Sequence, residues 1–161
     1  MKVLVAFYSR TGSTKLVAEA IAQALNADVE EIKDKKDRNG IFGFLRSGYE
    51  AVFKKITDIQ PICKNSEEYD IVVVGSPVWA GRLSSPVRTY MVLHGPKVKN
   101  VAFFTTCSVK SGKIFRQMEE LSESPIATLE VKEEEVESGK YLKKVEKFVE
   151  SIKNLIRANP Q

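Results

Sequence analysis

The chain has 161 residues, 43% apolar and 29% charged, with a formal net charge of +4 at neutral pH. That length buries one good core, so a single domain over residues 1–161 is expected, and the composition excludes a disordered chain. Basic and acidic residues intermix and no basic stripe is interleaved with aromatics, which argues against a nucleic-acid surface.

The first predicted element is a strand over 2–8, with the continuous apolar run Val3-Leu-Val-Ala-Phe7. It empties into Ser9-Arg-Thr-Gly-Ser-Thr14, after which Leu16, Val17, Ala20, Ile21, Ala24 and Leu25 recur at helical spacing over 14–25. Hydroxyls crowd around one permissive glycine where a helix begins, so free N–H groups and the helix dipole favour a phosphate there. The plainer reading is that Ser13 or Thr14 caps the helix. Neither G-x-G-x-x-G nor G-x-x-x-x-G-K-[ST] occurs, so dinucleotide and nucleoside-triphosphate loops find no support, and a mononucleotide phosphate remains.

A second strand is predicted at 28–33, charged throughout and therefore an edge. A helix follows over 41–56, in which Ile41, Leu45, Tyr49, Val52 and Ile56 share one face and are expected in the core. The segment is unusually aromatic, and the alternative is a lid or partner surface built from Phe42, Phe44 or Tyr49. A membrane-surface role with Arg46, Lys54 and Lys55 is disfavoured because acidic residues interrupt the basic face.

The third strand, 70–76, leads into Gly75-Ser-Pro-Val-Trp-Ala-Gly-Arg-Leu-Ser84, which holds the only tryptophan. Trp79 is read on a loop, either stacking on a flat ligand or folded back as a staple. A helix at 84–93 and a strand at 100–106 come next. The strand opens into Thr105-Thr-Cys-Ser-Val-Lys-Ser-Gly-Lys113, able to offer N–H and O–H donors to a polar heterocycle edge. Cys107 lacks the C-x5-R spacing of thiol phosphatases, since position 113 is lysine, and the one histidine, His94, is not beside it. A helix at 113–122, an alternating edge strand at 127–132 and a helix at 139–157 complete the chain. The last helix has Tyr141, Leu142, Val145, Phe148, Val149, Ile152, Leu155 and Ile156 on one face.

Strands and helices alternate, which predicts an α/β doubly wound three-layer sandwich. The three continuously apolar strands belong at the centre and the charged ones at the edges. A five-stranded parallel sheet in order 2-1-3-4-5 follows.

With the three loops aligned, the chain resembles the flavodoxin-like FMN-binding proteins over essentially its whole length. Tyr8-Ser-Arg-Thr-Gly-Ser-Thr-Lys15 resembles the family's phosphate loop, which implies FMN phosphate contacts from Ser9, Arg10, Thr11, Gly12, Ser13 and Thr14. Pro77, Val78, Trp79, Ala80, Gly81 and Arg82 resemble the loop that packs on the isoalloxazine, with Trp79 on its face. Thr106, Cys107, Ser108, Ser111 and Gly112 occupy the other flavin loop, though without the acidic, aromatic character of typical flavodoxins. A carbonyl near Ala80 or Gly81 is implied to reorient toward the reduced flavin. Flavodoxin itself exemplifies ligand binding at the switch point of such a sheet, so the site's location belongs to the resemblance.

The resemblance implies FMN-based electron transfer, with a redox partner protein or small-molecule electron acceptor. The alternative is an FMN-dependent NAD(P)H:quinone-type oxidoreductase, and a third class is a flavin-free phosphate-binding or regulatory module. Arg82, Lys110 and Lys113 in the loops predict a negatively charged partner and a less negative potential for the fully reduced flavin than in an acidic flavodoxin. Neither a catalytic residue nor a metal site is expected. Two cysteines make no disulfide framework, and neither a signal peptide nor a run of about 18 apolar residues is seen, so a cytoplasmic location without a membrane span is expected.

Overall fold

A computed structural model describes residues 1–158, the Ile156 side chain excepted. Five parallel strands form the sheet: β1 (Val3–Phe7), β2 (Asp28–Glu31), β3 (Ile71–Trp79), β5 (Val101–Cys107) and β6 (Thr128–Lys132). Their order is β2-β1-β3-β5-β6, and a two-residue strand, β4 (Arg82–Leu83), turns back antiparallel on β3. The parallel order matches the one predicted from strand hydrophobicity.

Burial explains that order. β1 and β5 are buried at every residue, whereas β2 and β6 are partly exposed edges. Side chains alternate across the sheet, so Val3, Val5 and Phe7 enter one core while Leu4 and Ala6 enter the other. The first core is closed by α1 (Ser13–Leu25) and α6 (Tyr141–Ala158), through Val17, Ile21, Val145, Phe148 and Ile152. The second is closed mainly by α3 (Ser85–His94) and α4 (Ile114–Glu119), through Val87, Tyr90, Met91, Ile114 and Met118.

Several boundaries and faces differ from the sequence expectation. The buried side of α1 is Val17, Ala18, Ile21, Ala22 and Leu25, while Leu16 is exposed. On α6, Leu142 and Leu155 face solvent. Ile156 was assigned to the same face, and its side chain lies outside the described residues, as do positions 159–161 of the expected domain. A five-residue helix, α5 (Glu133–Glu137), is additional; it is too short for an apolar period and is fixed by Glu135, which accepts the Lys132 N–H at 2.8 Å.

The largest departure is α2 (Gly40–Val52), which packs with its polar and small side inward. Gly43, Ser47, Glu50 and Ala51 are buried, whereas Ile41, Leu45, Tyr49, Val52 and Ile56, expected in the core, are all exposed. A buried ion cluster replaces the apolar stripe. Arg38 pairs with Asp34 and, at 2.6 Å, with Glu50, and it donates to the Ser47 hydroxyl at 3.3 Å. Gly43 presses so closely on the Arg38 backbone that a Cβ would collide with it.

Candidate functional site

The strands β1, β3 and β5 end together at one edge of the molecule, and three chain segments leave there. The first is the turn into α1. Gly12, at φ 107°, occupies the helix N-cap, a conformation that favours glycine, and contributes no side chain. Ser13 and Thr14 are the first helical residues, so neither is the cap. Ser9 Oγ takes that role from a distance, accepting the Gly12 N–H at 3.1 Å and the Lys15 N–H at 3.3 Å. Among the described residues the N–H groups of Thr11, Ser13 and Thr14 reach no protein acceptor, and no acidic residue stands in the first turn of α1. The Thr14 hydroxyl is directed inward, 2.7 Å from that of Thr106.

The second segment is a hairpin rather than a loop. β3 continues through Pro77, Val78 and Trp79, and Trp79 faces Arg82 across a two-residue turn. Ala80 and Gly81 both have positive φ, 50° and 70°, as a type I′ hairpin requires. Trp79 is 8% exposed, its ring edge-on to Tyr8 with centroids 5.5 Å apart. The Arg38 guanidinium lies 4.9 Å from the Trp79 ring centroid, so the ion cluster beneath α2 also holds the hairpin. Burial raises the Tyr8 hydroxyl above its ordinary pKa despite the nearby Arg38.

The third segment follows β5. Cys107 is buried and directs its thiol to the Val131 carbonyl at 3.8 Å; burial, reinforced by Glu130, pushes that thiol up to about 11. A thiol so placed stays protonated at neutral pH and is a poor nucleophile. Ser108 donates to Glu133 at 3.2 Å, and the Ser111 N–H to Glu130 at 2.8 Å. The Lys113 N–H donates to the Gly81 carbonyl at 3.0 Å. Gly112, at φ 61°, lies so close to that carbonyl that a Cβ would collide with it. Of the two carbonyls named for reorientation, that of Gly81 is therefore held in place.

Between these segments and α2 lies a cavity of about 580 Å³. One wall is α2 with the residue that follows it, through Phe44, Gly48, Tyr49, Val52 and Phe53; the facing wall is the hairpin from Val78 to Gly81 and the turn from Cys107 to Lys110. Arg10 closes the end nearest α1, its guanidinium 5.3 Å from the Phe44 ring centroid.

Of the residues singled out from sequence, Arg10, Val78, Trp79, Ala80, Gly81, Cys107 and Ser108 line this cavity. Ser9, Thr11, Gly12, Ser13 and Thr14 gather beside it at the α1 terminus. Pro77, Arg82, Thr106, Ser111 and Gly112 are not on its wall: they belong to the strands and contacts that hold the wall up. Sequence reasoning missed most of the α2 wall, along with Val109. The signal was there in the density of aromatics over Gly40–Ile56, which exceeds what one core-facing helix stripe uses.

Among the described residues no group of acidic, histidine or cysteine side chains could hold a metal ion, and no helix is long and apolar enough to cross a membrane.

A protein-family model described as Flavodoxin matches residues 2–152. No curated protein sequence matches the chain. Among solved structures, a flavoprotein from Lactobacillus acidophilus NCFM in complex with FMN is 23% identical, with a TM-score of 0.70 over 85% of this chain and 97% of that one. The two-electron reduced flavodoxin of Megasphaera elsdenii is 20% identical, with a TM-score of 0.58 over 91% of this chain and 97% of the other. At such identities these likenesses speak to the fold.

Proposed function

Since the chain belongs to the flavodoxin family, we propose that it holds FMN at the carboxyl edge of the sheet and transfers electrons through it. One observation carries the reading. The α1 terminus with unengaged N–H groups adjoins a mainly apolar cavity, and Arg10, two residues before the terminus, lines it. A molecule with a dianionic phosphate at one end and a flat apolar ring system at the other fits that arrangement.

The donor chemistry supports the fit. Thr11, Ser13 and Thr14 N–H groups and the dipole of α1 suit the phosphate, with the Arg10 guanidinium as a counter-charge. The hairpin backbone at Ala80 and the turn at Ser108 would border the ring, and Tyr49, Val52 and Phe53 on the same cavity wall would keep water from it. FMN supplies the one- and two-electron chemistry; the chain's residues position it, dry it and set its electrostatic surroundings.

Carrier function, exchanging electrons with a redox protein or a small acceptor, is the principal reading. The reductase reading, NAD(P)H to a quinone-type acceptor, is favoured by the aromatic wall of α2, which offers a second flat molecule a surface to stack on.

Titrating flavin fluorescence tests the proposal. FMN fluorescence is expected to quench on binding, and riboflavin, lacking the phosphate, to bind roughly tenfold or more weakly. Equal affinity for both would remove the phosphate role of the α1 terminus, and no quenching would leave a flavin-free module. Anaerobic reduction then separates the roles: reduction by dithionite alone indicates a carrier, and rapid bleaching by NAD(P)H a reductase.

A further inference from the structure

We propose that the outward face of α2 docks on the anionic phospholipid surface of a bilayer, with the helix lying in the interface plane. At 100° per residue, Phe44, Ile41, Val52, Leu45, Tyr49, Phe42 and Phe53 spread over about half the helix circumference. All are exposed, from 41% for Val52 to 89% for Phe42, and Ile56 beyond the helix end adds 62%. A soluble surface helix turns such a stripe inward. Here the inward side is committed to the Arg38 cluster; Phe44, Leu45, Tyr49, Val52 and Phe53 also border the flavin cavity, whereas Ile41, Phe42 and Ile56 border none of it and stand open to solvent.

Charge identifies the occupant. Between residues 40 and 56 the only carboxylate is Glu50, which is 5% exposed and engaged by Arg38, Arg46 and Lys36. The acid that interrupts the basic pattern in the sequence is thus internal, and the charges this segment shows to solvent are Arg46, Lys54 and Lys55, all cationic. Lys54 meets the exposed Glu120 at 3.4 Å, and Asp37 and Asp58 flank the segment outside it. Across the cavity mouth, Val109 at 74% exposure and Lys110 repeat the pairing of apolar tip and cation. Cations flanking a broad apolar arc complement phospholipid headgroups above acyl chains.

Two other occupants fit less well. A second copy would bring one cationic rim against another. A protein partner needs hydrogen-bonding groups across its interface, and the arc offers one such side-chain group, the Tyr49 hydroxyl. A bilayer needs none. Among the described residues no helix could cross the membrane, so the contact is peripheral.

Co-sedimentation of the full chain with vesicles tests this, using phosphatidylcholine alone and phosphatidylcholine mixed with phosphatidylglycerol. Phe42→Gln and Ile56→Gln are the diagnostic changes because neither residue lines the flavin cavity. FMN binding, measured alongside, is expected to be unchanged in the double variant, which keeps this test separate from that of the flavin. Expected are binding to the anionic vesicles only, a roughly tenfold loss in the double variant, and weakening as salt rises from about 50 to about 500 mM. The proposal is overturned by absence of vesicle binding or by equal binding of the double variant, which would be bare charge attraction. A dimer abolished by the two substitutions would also overturn it, since a second copy would then cover the face.

Discussion

Arg38 is 4% exposed and satisfies Asp34, Ser47 and Glu50 at once, with the Trp79 ring beside its guanidinium. Burial on its own would raise the Glu50 carboxyl, but hydrogen bonds from Arg38, Arg46 and Lys36 outweigh it and hold the group at about 2, against an ordinary 4.5. A carboxyl depressed on folding contributes stability that is whole above about pH 4.5 and is lost as pH falls through about 2, because the unfolded chain takes up the proton first. Glu50→Gln is therefore expected to cost about 3 kcal/mol at neutral pH and to flatten the pH dependence between those limits. Urea unfolding of both proteins across that range checks it; equal slopes would show that Glu50 is not the titrating group. None of this was legible in the sequence, where Arg38 sits in a mixed-charge run that reads as a solvated loop.

At the scale of elements, legibility followed the physics of each segment. Strands buried on both faces announce themselves as unbroken apolar runs, so β1, β3 and β5 and their central place could be read directly. For α2, periodicity reports which residues share a face but not which face turns inward, and a buried guanidinium reversed the usual answer. The hairpin was obscured for another reason. Ala80 adopts a positive φ that alanine disfavours, so Ala-Gly does not advertise a type I′ turn as Asn-Gly does. The segment from Pro77 to Arg82 nonetheless stood out in the sequence, and Val78 to Gly81 of it line the cavity. Its seat on the neighbouring turn rests on Gly112, and Gly112→Ala meets both a strained backbone and the Gly81 carbonyl. That substitution should destabilise the fold by about 1–3 kcal/mol and weaken flavin binding several-fold, read by thermal unfolding and fluorescence titration. Weakened stability with intact flavin affinity would show that the hairpin position is unimportant to the ligand.

Over the whole molecule the excess of cations is small, but it is placed unevenly. Arg10 and Lys110 line the cavity, whereas Arg82 and Lys113, which the sequence grouped with Lys110, do not. Positive charge beside a flavin favours its anionic, fully reduced form, so the proposed cofactor should be easier to reduce completely than in an acidic flavodoxin. Lys110→Gln is expected to make that midpoint more negative and Lys113→Gln to move it less, as equilibrium potentiometry at low salt can measure. Equal shifts would mean that only total charge matters.

The single indole of the chain closes the second core, ends β3 and borders the cavity, with Arg38 against its ring. An optical signal from one residue therefore reports three events that usually need separate labels: the seating of α2, the closure of the hairpin and the arrival of a ligand. Emission from an indole so shielded is blue-shifted, relaxes to the red when the helix lifts away, and is drained by energy transfer when a yellow chromophore settles beside it.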